Sequence, residues 1–140
     1  MSKTIIAGVD GGRPAHEAAE SAARLARAFG GTLHVVAVYD PAPDRSARES
    51  GFEPGLAAER IATDAAERLA SSFPGLDAVP SAQPGPKPAE TLVKLAESLG
   101  ADMIVVGNKR AKGLSRLLGS IASEVAAKAP CDVYIAHTHD

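Results

Sequence analysis

Short apolar runs alternate along the chain with longer stretches whose apolar residues recur every three or four positions. Runs of the first kind cover residues 4–9, 33–39, 103–107 and 133–136, with a weaker one at 77–83, and are typical of strands buried on both faces. Helical spacing predicts helices over residues 14–29, 56–73, 92–99 and 118–129. Strands and helices are therefore expected to alternate along the chain.

Glycine and proline mark the boundaries between these elements. Gly30 and Gly100 are placed to end the first and third helices, and Pro130 is placed to end the fourth. Pro80 has no amide hydrogen to donate, so we expect the weak strand that contains it to lie at a sheet edge. Residues 40–55 are rich in proline, serine, glycine and charge, which predicts a long exposed loop.

The strict alternation of strands and helices predicts an α/β fold. We expect a single doubly wound domain over residues 1–140, with a five-stranded parallel sheet and helices on both faces. The helical spacing also assigns large apolar residues to the inner faces of the helices, and these include Phe29, Leu99 and Ile121.

Composition and charge exclude several classes of protein. The formal net charge is −2 and aromatic residues make up only 4% of the chain, which disfavours nucleic-acid binding through a basic field or through stacking. No apolar run approaches the roughly 20 residues of a membrane span. The single cysteine, Cys131, excludes an intrachain disulfide and a cysteine-based zinc site. We therefore expect a cytoplasmic protein without nucleic-acid or membrane partners.

Candidate chemistry is confined to the carboxyl ends of the strands, where doubly wound sheets bind ligands. The relevant segments are residues 10–12, residues 38–40 and the loop after Gly107. Two familiar phosphate motifs do not fit these segments. The glycines of residues 8–12 lack the G-x-G-x-x-G spacing, and Leu114 stands where a P-loop lysine belongs.

A different phosphate-binding pattern begins at Gly107. The chain leaves a strand there, passes through a polar loop and enters a helix at Gly119 and Ser120. Glycine lets backbone N–H groups approach an anion, a helix N-terminus adds the positive end of its dipole, and the Ser120 hydroxyl can donate a hydrogen bond. The alternative is that these two residues only open the helix, as serine often does. Local chemistry leaves both interpretations open.

Other residues also have two interpretations. Asp10 is either a ribose or metal ligand or the residue that caps the first helix. The basic run either faces phosphates or is a solvated loop, and its members are Lys109, Arg110, Lys112 and Arg116. His16 is expected on the outer face of its helix, and His137 and His139 near a frayed chain end. No nucleophile–base pair, carboxylate pair or metal cluster is visible in the sequence.

Motifs spread over the whole chain resemble the universal stress protein family. They are a strand followed by Asp-Gly, Val-Val-Gly before a polar loop, Leu-Leu-Gly-Ser, and a closing Pro-Cys-Asp-Val-Tyr-Ile, so the match runs from about Lys3 to about His137. The ATP-binding branch of that family carries the pattern G-x-x-G-x(9)-G-[ST]. The resemblance implies the strand order 3-2-1-4-5 and a homodimer formed through the C-terminal strand at residues 132–137.

The resemblance further implies an adenine nucleotide ligand, which would be ATP, AMP or cyclic AMP. Gly107 and residues 119–121 would hold the phosphates. Asp10 would meet the ribose or a magnesium ion, and the backbone of Val38 would contact the adenine edge. The complete set of site residues that it implies is Asp10, Gly11, Val38, Val106, Gly107, Lys109, Arg110, Gly119, Ser120 and Ile121.

The chain departs from the family pattern at several positions. Arg110 stands at the second glycine, the loop that leads to Gly119 is one residue shorter, and Gly12 stands where the family usually has serine. The favoured interpretation is a nucleotide-binding sensor or regulator of the stress response. Because the family includes a branch that does not bind nucleotide, the alternative is a protein-interaction or chaperone-like module, and a slow ATPase is the third possibility.

Overall fold

Strands and helices alternate as the apolar pattern predicts. The computed structural model describes residues 3–42, 51, 53–108 and 119–139. Its elements are β1 (Thr4–Gly8), α1 (Arg13–Phe29), β2 (Thr32–Tyr39), α2 (Pro54–Ser72), β3 (Asp77–Pro84), α3 (Pro88–Leu99), β4 (Met103–Gly107), α4 (Ser120–Lys128) and β5 (Asp132–Ala136). Most of the predicted loop between β2 and α2 lies outside the described residues.

The five strands form one parallel sheet in the order β3-β2-β1-β4-β5, which confirms the predicted topology. Ile5 of β1 is in register with Leu33 of β2 on one side and with Met103 of β4 on the other. Pro80 of β3 lies opposite Val35 of β2. Strand β3 is at the sheet edge, as predicted from the missing amide hydrogen of Pro80. The strand order reverses between β1 and β4, so a crevice is expected beyond their carboxyl ends.

The core is divided between the two faces of the sheet. On one face, α1 and α2 pack through alanines, of which Ala19, Ala22 and Ala62 are completely buried. Small side chains let these helices approach the sheet closely without loss of side-chain entropy. On the other face, α3 and α4 cover Ile6 and Ile104, both also completely buried. Helices on both faces confirm the doubly wound arrangement.

The predicted helix ends agree with the structure better than the predicted inner faces of the helices do. Helices α1 and α3 end at Gly30 and Gly100, as predicted. However, Phe29, Leu99 and Ile121 are 47%, 39% and 44% exposed, so their assignment to the core was wrong. Each lies in the first or last turn of its helix. None of the helices in the described residues is long and apolar enough to span a bilayer.

Candidate functional site

The turn after β1 is organised by the Asp10 carboxylate. Its Oδ1 atom accepts a hydrogen bond from the Gly12 N–H at 2.8 Å. Gly11, between them, has a φ of 86°, a conformation that glycine adopts without steric cost. The N-cap of α1 is Gly12, so the interpretation of Asp10 as the capping residue was wrong. Asp10 instead closes the turn that leads into the helix.

The end of β4 lies against the C-terminal tail of the chain. Val106 is 6% exposed, and a Cβ atom at the following residue, Gly107, would lie only 2.9 Å from Cγ2 of Thr138. The same Cβ would lie 3.6 Å from Cβ of Ala18 in α1, an ordinary contact. The close approach of Thr138 therefore favours glycine at position 107, whether or not a ligand binds.

No described part of the chain covers the start of α4. Gly119 is the N-cap residue, with φ −62° and ψ 163°, and among the described residues no heavy atom beyond its chain neighbours lies within 4 Å of the position that its Cβ would take. The Gly119 carbonyl accepts the Ser123 N–H at 2.9 Å, which closes the first helical turn. The N–H groups at the start of a helix have no acceptor within it. Residues 120–122 thus offer backbone donors at a helix start that no described residue covers at Gly119.

Val38 of β2 lies beyond the last residue of β2 that pairs with the central strand, β1. The register of β1 with β2 ends at Gly8 opposite Val36, and the Val9 N–H donates to the Val36 carbonyl at 2.8 Å. On its other side Val38 is paired with Gln83 of β3. The half-buried Val38 is therefore at the carboxyl edge of the sheet. On the side that faces β1, its backbone lies past the last residue pair of β1 and β2.

Most of the predicted site residues therefore belong to one edge of the sheet. Residues 10–11, Val38 and residues 106–107 follow or end the adjacent strands β1, β2 and β4, and residues 119–121 begin the helix between β4 and β5. The predicted site residues Lys109 and Arg110 lie outside the described residues, as do Lys112 and Arg116. The described part of the chain contains no group of three His, Cys, Asp or Glu side chains that could hold a metal ion.

The C-terminal tail was expected to be frayed, and this was wrong. Thr138 is only 3% exposed, and its N–H donates to Oδ1 of Asn108 at 2.8 Å. The His139 N–H donates to Oε1 of Glu17 in α1 at 2.9 Å. These partners are 30 and 122 residues apart in sequence, so no local pattern could have indicated the contacts.

A polar groove of about 570 Å³ lies between α1 and α2, next to the turn at residues 11–12. His16, expected on the outer face of α1, is half-buried in its lining together with Arg68 of α2. Burial, and then the positive charge of Arg68, lower the pKa of the His16 imidazole below its ordinary value of 6.5, while Glu20 opposes them. His16 therefore favours its neutral form in the folded protein.

Comparison with known proteins agrees with this architecture over the full length of the chain. The model of the universal stress protein family matches residues 1–137. A universal stress protein of Mycobacterium tuberculosis is 32% identical over 147 residues, which cover 97% of each chain. A universal stress protein solved in complex with cyclic AMP has a TM-score of 0.70 and 30% identity, with 98% of each chain covered. Another, from Archaeoglobus fulgidus, has a TM-score of 0.77 and 25% identity and covers 96% of this chain. The chain belongs to the universal stress protein family.

Proposed function

We propose that this protein binds an adenine nucleotide at the carboxyl edge of β1 and β4 and acts as a sensor or regulator in the stress response. The observation that carries the proposal is the start of α4, where none of the residues in 3–42, 53–108 and 119–139 places an atom within 4 Å of the Gly119 Cβ position, chain neighbours aside. Ligands of doubly wound sheets bind where the strand order reverses, and that point lies between β1 and β4. The relative solved with cyclic AMP, 30% identical to this chain, supports the class of ligand.

The phosphate groups would lie against the first turn of α4. Backbone N–H groups of residues 120–122 point out of the helix start, and the helix dipole adds positive potential there. Ser120, the first helical residue, would donate its hydroxyl hydrogen to a phosphate oxygen. Because Gly119 has no side chain, a phosphate could approach these donors closely.

The nucleoside would be held by the ends of β1 and β2. Asp10 uses Oδ1 to accept the Gly12 N–H, so Oδ2 is the atom that would meet a ribose hydroxyl or a magnesium ion. Gly11 would allow close approach at the same turn. The Val38 backbone, past the end of the β1 pairing, would contact the adenine edge.

The loop sequence favours a ligand with few phosphates. The segment between Gly107 and Gly119 is one residue shorter than the family pattern, which would bring the two glycines closer together. Arg110 replaces a glycine, and its planar guanidinium can donate two hydrogen bonds to one phosphate. We therefore expect AMP or cyclic AMP to bind more tightly than ATP.

A second candidate function is a protein-interaction or chaperone-like module that binds no nucleotide. The specific observation in its favour is the contact between Gly107 and Thr138. One glycine of the phosphate pattern is thereby explained by packing alone. Such a module would act through exposed surfaces, for example around Tyr134 of β5, which is 43% exposed.

The experiment that separates the two functions uses the purified full-length protein. Any bound nucleotide is released by heat and identified by mass spectrometry, and the emptied protein is titrated calorimetrically with ATP, AMP and cyclic AMP. Guanine nucleotides serve as matched controls, since they carry the same phosphates on a different base. Adenine-selective binding is the expected result. Absence of both released nucleotide and measurable binding would reject the nucleotide site and favour the second function.

A further inference from the structure

Strand β3, at one edge of the sheet, directs half of its backbone groups away from the sheet. In a parallel pair, the N–H and C=O of one residue point to the same side of the strand, and successive residues alternate between the two sides. The Gly85 N–H donates to the Tyr39 carbonyl of β2 at 2.8 Å, and Tyr39 is in register with Pro84. Gly85 therefore faces β2, and the backbone of Pro84 faces outward.

The same alternation holds along the whole strand, because all eight residues of β3 are in register with β2 without a bulge. Pro80, which is paired with Val35, therefore also faces outward. The complete set of outward-facing positions in β3 is Ala78, Pro80, Ala82 and Pro84. Since proline has no N–H group, the outer edge keeps its carbonyl acceptors but lacks the donors at positions 80 and 84.

The two prolines act on the outside of the sheet rather than on its core. Pro80 and Pro84 are both exposed, so neither contributes a buried side chain. Their missing N–H groups would have pointed away from β2, so the pairing of β2 with β3 is complete without them. The ring of each proline occupies the place of the amide hydrogen and would hold off the carbonyl of any strand that approached from outside.

Other features that commonly protect a sheet edge are missing from β3. Natural edge strands are often short, charged, bulged or covered. Strand β3 is eight residues long, as long as β2, and Asp77 at its start is its only charged residue. Val79 is 39% exposed, and none of the described residues pairs with the outer edge. Without its prolines, β3 would be a long and uncharged edge, the kind that pairs with another strand.

We propose that Pro80 and Pro84 close the outer edge of β3 to pairing with the β3 edge of a second copy of this chain. Two identical edges can meet about a two-fold axis, and residues 78–86 carry no charge that would repel the same segment of another copy. Edge-to-edge assembly is thereby restricted to β5, at the other end of the sheet. If both edges could pair, each copy would join two others and the assembly would not close. This inference does not depend on the nucleotide site.

The test restores the missing donors with Pro80→Ala, Pro84→Ala and the double variant. Pro88→Ala is the matched control, because Pro88 is also exposed but is the first residue of α3. Light scattering measures the mass of each protein, and thermal melting shows whether it is folded. At equal concentration, the double variant should have about twice the mass of the unchanged protein or more, as expected when identical edges join. The control should keep the mass of the unchanged protein.

Backbone hydrogen exchange of Ala82, measured by nuclear magnetic resonance, shows whether the new contact lies at this edge. The Ala82 N–H faces outward between the two prolines, so it should exchange rapidly in the unchanged protein and slowly in the associated double variant. Adding Ala82→Pro to the double variant removes this donor and should return the mass to that of the unchanged protein. Association caused by general destabilisation would instead persist or increase after the third substitution.

Several results would overturn the inference. One is a folded double variant that keeps the mass of the unchanged protein, and another is association that Ala82→Pro does not reverse. Slow exchange of the Ala82 N–H in the unchanged protein would also overturn it, because the edge would then already be covered. If the double variant does not fold, Pro80→Ala alone and the exchange of Ala82 in the unchanged protein decide by the same criteria.

Discussion

The methyl group of Thr138 lies 2.9 Å from the position that a Cβ atom at Gly107 would take, although the two residues belong to opposite ends of the β4–β5 segment. Both a phosphate-binding pattern and simple packing require glycine at this position. The two requirements predict different consequences of substitution, because only packing makes the effect of a side chain at 107 depend on residue 138.

Gly107→Ala should lower the free energy of unfolding by about 1–3 kcal/mol, the usual cost of overpacking a filled site. The clash is the cause, since Gly107 does not have a positive φ that alanine would avoid. Thr138→Ser removes the clashing methyl group and keeps the hydroxyl, so the double variant should recover part of the loss. Urea unfolding of the four proteins measures this coupling. Strictly additive effects would contradict the packing explanation.

Gly119→Val should abolish adenine-nucleotide binding without unfolding the protein. The branched side chain would occupy the space in front of the α4 amides, and in the described part of the chain no heavy atom beyond the chain neighbours lies within 4 Å of the Cβ position to oppose it. Gly119→Ala, with a smaller side chain, should produce an intermediate loss. Calorimetric titration gives the affinities, and thermal melting provides the control for folding. Unchanged affinity in the valine variant with a native melting curve would reject the phosphate site at α4.

Arg110→Gly should weaken nucleotide binding, although it moves the sequence toward the family pattern. In our proposal the guanidinium replaces the missing glycine contact, so its loss removes charge from the phosphate site. Affinity of the unchanged protein should fall with added salt, since exposed charges are screened beyond about 8–10 Å at physiological ionic strength. The alternative is that Arg110 blocks an ATP pocket.

Titration of both proteins with ATP, AMP and cyclic AMP at two salt concentrations separates these alternatives. A blocked pocket predicts that the glycine variant gains ATP affinity, and this gain would refute the role that we give to Arg110. A loss of affinity that is larger at low salt would support it.

The protein should form a homodimer through β5, which occupies a sheet edge. Tyr134 of β5 is 43% exposed, which leaves apolar surface at that edge. Tyr134→Glu should shift the equilibrium toward monomer by placing a charge in the interface, and Tyr134→Pro should do so by removing a backbone donor. Light scattering at micromolar concentration measures the mass. A monomeric unchanged protein, or a dimer that both folded variants retain, would contradict this interface.

Stability should decrease as the pH falls below 6.5, the ordinary pKa of histidine, because the folded protein lowers the pKa of His16. Between the folded and the ordinary pKa, the unfolded chain binds more protons than the folded one, so acidification favours unfolding. Well above pH 6.5 the imidazole is neutral in both states and contributes no pH dependence. His16→Gln should therefore flatten the stability profile on the acidic side.

Urea unfolding at about pH 7.5 and about pH 5.5, on either side of the ordinary histidine pKa, tests this expectation. His34→Gln is the matched control, since His34 lies in β2, paired with Ile6 of β1, and does not line the groove with Arg68. If His16→Gln leaves the change of the unfolding free energy between the two pH values unaltered, the burial of His16 and its proximity to Arg68 have no consequence for stability.

The architecture of this protein could be predicted from its amino-acid sequence alone. The spacing of apolar residues and the length of apolar runs distinguish strands from helices. Glycine and proline mark the ends of these elements, and Pro80 indicates the edge position of β3. These features are predictable because each effect acts within a few residues. The motifs around Asp10, Gly107 and Gly119 were also sufficient to identify the family and the sheet edge that carries the candidate site.

The assembly of that sheet edge, in contrast, depends on contacts between residues far apart in the chain. The hydrogen bond between Glu17 and His139 joins residues 122 positions apart, and the contact between Gly107 and Thr138 depends on how the chain turns after β5. The half-burial of His16 depends on the groove that α1 shares with α2. Such contacts are set by the packing of distant elements and leave no periodic trace in the sequence, so local patterns could not predict them.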